Sequence, residues 1–173
     1  MGRTKVIKTL VVLVLVFVAN SMSAQVQLQK IEASFIANFM RYIQWPEQES
    51  LKSFTIGVYG KNHAIFSALN NTVNGKNVGL ARISVVEVET ADDMKGCQIV
   101  FIPSGRSLRA KKLVGALDTH SVMTITEEQD YMPKYAMVNF KVRNNKLTFQ
   151  LNQEIASQKQ IQVSSKLAQM ASN

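Results

Sequence analysis

The sequence is poor in the residues on which metalloenzymes and disulfide-stabilised domains depend. It contains one cysteine, Cys97, so no internal disulfide can form. Of its two histidines, His63 and His120, neither has a second ligand at a spacing typical of metal sites. The G-x-S-x-G and G-x-x-x-x-G-K motifs are absent. These absences argue against a metal site, a nucleophile-elbow hydrolase and a P-loop nucleotidase.

Clustered charge is also missing. The formal net charge is +8, but the cations are scattered, and Lys111–Lys112 is the only adjacent basic pair. Nucleic-acid-binding domains usually concentrate their cations on one face or in one run. Nucleic acid is therefore not predicted as a partner.

Residues 1–24 have the features of a secretory signal peptide. Arg3, Lys5 and Lys8 precede an apolar run, Leu10–Ala19, and small residues follow it. A membrane-spanning helix needs roughly 20 apolar residues, so a cleaved signal is favoured over an uncleaved anchor. Cleavage is predicted after Ala24, with the preceding bond as the alternative. We therefore expect a periplasmic protein without direct membrane insertion, whose single domain comprises residues 25–173.

The lone thiol of Cys97 has two interpretations. It precedes an apolar segment, which is typical of a buried cysteine that acts as a small hydrophobic residue. A redox-sensing or intermolecular thiol is the alternative. Burial is favoured, because a reactive thiol needs an exposed electropositive setting that the sequence does not provide.

The clearest helical pattern lies at Glu32–Pro46. Its apolar side chains recur at three- and four-residue intervals and share one side of a helix: Ile31, Phe35, Ile36, Phe39, Met40 and Ile43. Pro46 disfavours a helical backbone at Trp45, so the helix is predicted to end there. The wide apolar stripe indicates packing against a sheet.

Strands and helices alternate through the following two thirds of the chain. Strands are predicted at Phe54–Tyr59, Val78–Val88, Ile99–Ile102 and Val122–Thr126, with helices at 63–70 and 107–117. Leu108, Leu113 and Leu117 are predicted to face inward on the second of these helices. Two alternating runs, Ala136–Val142 and Lys146–Leu151, then indicate a hairpin.

This order of elements predicts the fold class. Helices that connect successive strands imply parallel neighbours with helices on the faces of the sheet. We predict an α/β fold, a single-domain layered sandwich with a mixed, mostly parallel sheet flanked by helices and a C-terminal antiparallel hairpin.

No catalytic set emerges from the chain. Asp118, His120 and Ser121 are close in sequence, but a nucleophile, a base and an orienting acid must meet in space. We therefore predict no enzymatic activity, no cofactor and no metal.

Two cations follow predicted parallel strands and precede helices. Lys61 comes after Phe54–Tyr59, and Arg106 comes after Ile99–Ile102. Ligands of open α/β sheets gather beyond the carboxyl ends of the strands, where helix N-termini favour anions. Lys61 and Arg106 are therefore candidates for binding a small anionic ligand, with solvent-exposed cations as the simpler alternative.

Three aromatic side chains, Tyr42, Trp45 and Tyr131, are candidates for binding a protein partner. Trp and Tyr often anchor interfaces, but they also often cover a core, and the sequence leaves both roles open. We expect the surface near Trp45 and the loop 127–134 to take part in an interface.

Seven segments in a fixed order carry a family resemblance. They are ASFIANFMRYIQWP at 33–46, FTIGVYG at 54–60, NGKNVGLARISV at 74–85, CQIVFIP at 97–103, VMTITEEQDYM at 122–132, VNFKVRNNKLTFQLN at 138–152 and VSSKLAQMA at 163–171. Together they resemble the YfiR-like family of bacterial periplasmic regulatory proteins, over nearly all of residues 25–173.

The resemblance implies a regulator of cyclic-di-GMP signalling rather than an enzyme. Well-known members bind the periplasmic part of an inner-membrane diguanylate cyclase and hold it inactive, and an OmpA-like outer-membrane lipoprotein can sequester the regulator. Members can be homodimers, and some carry disulfides. For this chain the inner-membrane partner could equally be a sensor kinase.

Two departures from the family pattern matter. Where a glycine pair usually follows the aromatic near Tyr131, this chain has Pro133–Ala136, which predicts a reshaped loop. A disulfide-gated switch does not transfer either, because Cys97 is alone.

Overall fold

A seven-stranded sheet organises the part of the chain that the computed structural model describes, residues 27–172. The strands in chain order are β1 (Ile43–Gln44), β2 (Ser53–Tyr59), β3 (Asn77–Val78), β4 (Ala81–Val88), β5 (Ile99–Ile102), β6 (Met123–Thr126), β7 (Val138–Arg143), β8 (Lys146–Leu151) and β9 (Gln162–Val163). The helices are α1 (27–39), α2 (Ala64–Thr72), α3 (Ala91–Lys95), α4 (Ser107–Gly115), α5 (Gln153–Gln158) and α6 (Ser165–Met170).

The strand order in this sheet is β3-β4-β2-β5-β6-β7-β8. The neighbours from β4 to β7 are parallel, and the edge strands β3 and β8 are antiparallel. β1 and β9 form a separate antiparallel pair. This topology confirms the predicted α/β sandwich with its mixed, mostly parallel sheet and C-terminal hairpin. The predicted signal peptide, residues 1–24, lies outside the described residues.

Both faces of the sheet are covered, and the buried strand β5 shows how. Ile99 and Phe101 join the larger core cluster, to which α1 and α2 contribute. Val100 and Ile102 point the other way and join the cluster that α3 and α4 cover. Alternate residues of a strand face opposite sides, so a strand covered on both faces is apolar throughout. The continuous apolar run at β5 follows from this position.

α1 crosses the first face and packs its phenylalanines against the hairpin. Phe39 lies 5.0 Å from Phe149 and 5.9 Å from Phe140, measured between ring centroids. Six residues after the C-terminal end of α1, Trp45 Nε1 donates to the carbonyl oxygen of Gln98, which lies just before the amino end of β5. α1 therefore runs against the direction of the parallel strands, and its first turns lie toward their carboxyl ends.

The prediction that this helix extends to Trp45 is wrong. The helix ends at residue 39, and Ile43–Gln44 forms β1 by pairing with β9. Pro46 restricts only its immediate neighbour, whereas backbone partners from the C-terminal region decide the structure of the residues before it. The predicted apolar stripe also needs correction at its start, because Ile31 is 39% exposed while Glu32 is 1% exposed.

Two further predictions were wrong in detail. The strand predicted at Val78–Val88 is a short hairpin of β3 and β4, and Gly79 between them has φ +56. On α4 the buried residues are Ser107, Ala110 and Val114, so Leu108, predicted to face inward, is exposed. Leu113 and Leu117 do pack against the cluster that α4 covers, as predicted, so the prediction was wrong only for the leucine in the first turn of the helix.

Candidate functional site

The carboxyl ends of β2, β5 and β6 lie side by side, because these strands are parallel and adjacent. We call this end of the strands the carboxyl edge of the sheet. This edge carries both predicted anion-binding cations, Lys61 and Arg106. It also carries Glu127 and Glu128, which sequence reasoning did not single out.

Lys61 is engaged by a neighbouring carboxylate. Its Nζ lies 2.9 Å from Oε2 of Glu89, and both side chains are more than half exposed. This hydrogen bond and the charge of Glu89 raise the pKa of Lys61. An external anion at Lys61 would compete with Glu89 for the same charge.

Arg106 lies against the backbone at the end of β2. Its guanidinium packs over Gly60, where a side chain would collide with it, and Nη1 donates to the Tyr59 carbonyl oxygen at 3.3 Å. Gly60 has φ +85, a conformation that glycine adopts at little cost. Burial and the nearby Arg106 charge together lower the pKa of His63, the N-cap residue of α2. Lys61 and Arg106 thus share an edge, but each has an internal partner.

The backbone amides that could bind an anion after β5 are also occupied. Ser104 N donates to Glu127 Oε1 at 2.7 Å, and Gly105 N donates to Glu128 Oε1 at 3.1 Å. The protein's own carboxylates therefore take the positions that the sequence analysis assigned to an anionic ligand.

Glu32 reaches this edge from α1 and meets Glu127. It is 1% exposed, and its Oε2 has no hydrogen-bond partner among the described residues. Burial, followed by the charge of Glu127 and a hydrogen bond to it, raises the pKa of Glu32 to about 9. Glu32 is thus protonated at neutral pH and donates to Glu127. The sequence held a signal for this burial, since Glu32 lies three, four and seven residues before Phe35, Ile36 and Phe39 and therefore on the same side of the helix.

The loop 127–134 is held from beneath by Asn139, a fully buried residue of β7. Asn139 Oδ1 accepts from Thr126 Oγ1 at 2.7 Å and from Glu128 N at 2.9 Å. Its Nδ2 lies within donor distance of the Glu128 carbonyl at 2.9 Å and the Tyr131 carbonyl at 3.3 Å. One buried amide therefore anchors the loop at Glu128 and Tyr131.

The structure does not bring the three candidate aromatic residues together. Trp45 is 3% exposed, packs edge-on against Phe54, and lies near the amino end of β5. Tyr42 is half-buried, with Lys166 Nζ 5.4 Å from its ring centroid. Tyr131 is 46% exposed and follows the carboxyl end of β6. Of the three, Tyr131 is the one with an openly accessible ring.

Tyr131 lines a groove between the loop and α4, which we call the Tyr131 groove. Its volume is about 360 Å³, and its lining residues are Ser107, Leu108, Lys111, Tyr131, Met132, Pro133, Lys134 and Tyr135. Leu108, exposed on α4, stands at its border, and Tyr135 Oη donates to the Ser107 carbonyl at 2.7 Å. Pro133, Lys134 and Tyr135, which lie where a reshaped loop was predicted, form one wall of this largely apolar groove.

Cys97 and His120 lie away from this edge, beside a shallow cavity of about 280 Å³ that Trp45 also lines. Cys97 is 3% exposed, its Sγ donates to the Asp93 carbonyl at 3.4 Å, and burial raises the pKa of its thiol to about 11. This environment matches the predicted small buried hydrophobic residue, since the thiol stays protonated at neutral pH.

We expect Cys97 to resist alkylation in the folded protein. With a thiol pKa of about 11, iodoacetamide at pH 8 should react about a hundredfold more slowly than with the protein unfolded in urea. Mass spectrometry of timed samples measures the rate, and Cys97→Ser supplies the background. Equal rates in the folded and unfolded protein would show that the thiol is accessible and ionised.

Within residues 27–172, no three His, Cys, Asp or Glu side chains are grouped so that they could hold a metal ion. Over the same residues, no helix combines the length and apolar character needed to cross a bilayer.

The fold and the site define a layered α/β domain with an open apolar groove at the carboxyl edge of its sheet. The chain belongs to the YfiR/HmsC-like family, whose model matches residues 29–172. This is a regulatory, non-catalytic family of the periplasm, associated with cyclic-di-GMP signalling. No curated protein matches the chain closely enough to count as a relative.

Proposed function

We propose that the protein is a non-enzymatic periplasmic regulator that binds and restrains the periplasmic part of an inner-membrane signalling protein. The partner would be a diguanylate cyclase or a sensor kinase. The observation that carries the proposal is the Tyr131 groove, where the exposed Tyr131 of the loop faces the exposed Leu108 of α4 and hydrogen bonds hold the loop in place. Family membership supports the same direction.

The proposed mechanism is stoichiometric. A bound regulator can hold a membrane protein inactive only if it binds the inactive state more tightly than the active state. A surface fixed before binding loses less conformational entropy on docking, which favours affinity. The hydrogen bonds from Asn139 and Tyr135 give the Tyr131 groove this property.

Site-specific photo-crosslinking in living cells tests the proposal. A photoreactive phenylalanine at position 131 should crosslink to an inner-membrane protein, because Tyr131 is accessible and lies in the groove. The matched control is position 80, where Leu80 is 84% exposed on the turn between β3 and β4. Deleting the protein should raise cellular cyclic-di-GMP if the partner is a cyclase. Unchanged cyclic-di-GMP and no crosslink from position 131 would contradict the proposal.

Other parts of the earlier interpretation stay predictions. A small anionic ligand at Lys61 and Arg106 is the alternative function, and it is less favoured because both cations have internal partners. Roles for Tyr42 and Trp45 in an interface, an OmpA-like lipoprotein as a second partner, and a homodimer rest on the sequence alone.

A further inference from the structure

The Tyr131 groove is bordered by large side chains that are exposed to solvent. Leu108 is 83% exposed, and Tyr131 is 46% exposed, so two large side chains border the groove without covering. Exposed apolar patches rimmed by polar residues often mark protein interaction sites. Tyrosine is also enriched among residues that contribute strongly to interfaces.

The two charged side chains that line the groove are both basic. Lys111 and Lys134 are among its lining residues, and no Asp or Glu is. Glu128 is the carboxylate with an effect on a lining residue, since burial raises the pKa of Tyr135 and the charge of Glu128 helps to raise it. Both lysines are exposed, and no ion pair is found for either among residues 27–172. A partner surface with carboxylates would complement these lysines, whereas a basic surface would be repelled.

We infer that the Tyr131 groove binds a segment of the inner-membrane partner in which an apolar side chain is flanked by carboxylates. This inference rests on the proposed function and specifies the chemistry of its docking segment. The apolar side chain enters between Leu108 and Tyr131, and the carboxylates meet Lys111 and Lys134.

The groove is built to receive such a segment without rearranging. Tyr135 ties the loop wall to α4 through the Ser107 carbonyl at 2.7 Å, and its own carbonyl accepts from Thr124 Oγ1 at 2.8 Å. Asn139 holds the Tyr131 carbonyl from below. Both walls are therefore anchored to the sheet, and the width of the groove is set before binding.

A protein segment suits the groove better than a small molecule. Small-molecule sites usually bury most of the ligand's surface in a concave pocket. Here the two largest apolar side chains stand at the border, where only a broader partner surface could cover them both.

Binding of the labelled full-length mature protein to spheroplasts tests the inference. The spheroplasts come from a strain that lacks the protein, so the periplasmic face of the inner membrane is free. Leu108→Ser should weaken binding about fivefold or more. The double variant Lys111→Glu with Lys134→Glu should weaken it about tenfold or more, and raised salt should weaken wild-type binding.

Matched controls isolate the groove. Leu80→Ser alters an equally exposed leucine, and Lys112→Glu reverses the lysine beside Lys111 that does not line the groove. Both controls should bind as wild type does. Because all these side chains are exposed, thermal unfolding should be nearly unchanged in every variant, which separates lost binding from lost folding.

Each outcome decides the inference. Loss of binding by the groove variants but not by the controls supports it. Equal binding by all variants overturns the inference and leaves the proposed function standing. Tighter binding by the glutamate variants overturns the inference that the bound segment is acidic. A photoreactive phenylalanine at position 108 that crosslinks only to a second copy of the chain overturns the inference that the groove binds a membrane partner. No saturable binding by wild type overturns both proposals.

Discussion

Replacement of Glu32 by glutamine is expected to remove a pH dependence from the stability of the protein. In the wild type, the contribution of Glu32 to the free energy of unfolding should fall by up to about 1.4 kcal/mol per pH unit between pH 4.5 and about 9. The reason is that Glu32 is buried at 1% exposure beside Glu127, which raises its pKa from 4.5 to about 9.

The sign follows from proton counting. Between pH 4.5 and about 9, the folded protein keeps the proton on Glu32 while the unfolded chain has lost it. The folded state therefore binds more protons, and raising the pH favours the unfolded chain. The stabilisation is fully present below pH 4.5 and is lost as the pH rises through about 9. Glutamine cannot ionise, so its presence removes this contribution.

Urea unfolding at half-unit intervals from pH 5 to pH 9 measures the effect. Glu32→Gln should show a flatter profile than wild type and greater stability at the alkaline end. Glu49→Gln, which alters an exposed glutamate, should keep the wild-type slope. Parallel profiles for wild type and Glu32→Gln would mean that Glu32 is ionised in the folded state.

Ionisation of Glu32 also bears on the Tyr131 groove. Glu32 connects α1 to Glu127, which in turn accepts from the Ser104 amide. Two adjacent carboxylates in a buried site repel each other. We therefore expect the protection factors of amides in the loop 127–134, taken relative to intrinsic exchange at the same pH, to fall at alkaline pH before those of the sheet, and Glu32→Gln to prevent that fall.

Replacement of Asn139 by alanine is expected to have the second large effect, a loss of about 3 kcal/mol or more in the free energy of unfolding. The substitution removes the buried partner of Thr126 Oγ1, of Glu128 N and of two loop carbonyls. A buried polar group left without a partner costs about 1–3 kcal/mol, and several are affected here.

Asn139→Ala should also weaken partner binding, although Asn139 does not line the groove. Without its amide the loop loses its anchor at Glu128 and Tyr131, so part of the binding free energy is spent on ordering it. Urea unfolding, hydrogen exchange and the spheroplast assay measure the three consequences.

Asn70→Ala, which alters an exposed asparagine of α2, is the matched control and should change stability by less than about 0.5 kcal/mol. If Asn139→Ala unfolds with wild-type stability and retains slow exchange in the loop, the buried network is not what holds the groove.

Elements that depend on neighbouring residues could be predicted from the sequence. Thr90 begins the short helix α3 with a capping box that involves Asp93. Asn144 and Asn145 form the hairpin turn with φ of 51 and 58, a conformation that asparagine tolerates. The apolar run at Ile99–Ile102 predicted the strand β5, all four residues of which are buried. For the helix cap and the hairpin turn the deciding contacts lie within a few residues, and for β5 the signal was the local run of apolar residues.

The candidate site was less predictable, because its contacts join distant parts of the chain. Lys61 and Arg106 were correctly placed at the carboxyl ends of β2 and β5, but their partners Glu89 and Tyr59 could not be inferred. Trp45 was a candidate for an interface, and its burial against Phe54 depends on how α1 crosses the sheet. Ile31 and Leu108 were predicted to face inward, and both are exposed for similar reasons.

Periodicity, turn residues and ordered motifs are local properties, so the order of residues was enough to predict a layered α/β domain, its C-terminal hairpin and its family. Three features became visible only in the folded molecule: the end of α1, the burial of Glu32 against Glu127, and the groove that Leu108 and Tyr131 border. The physical reason is that burial and the pKa of a carboxyl depend on what the fold brings near, and those neighbours come from segments far apart in the chain.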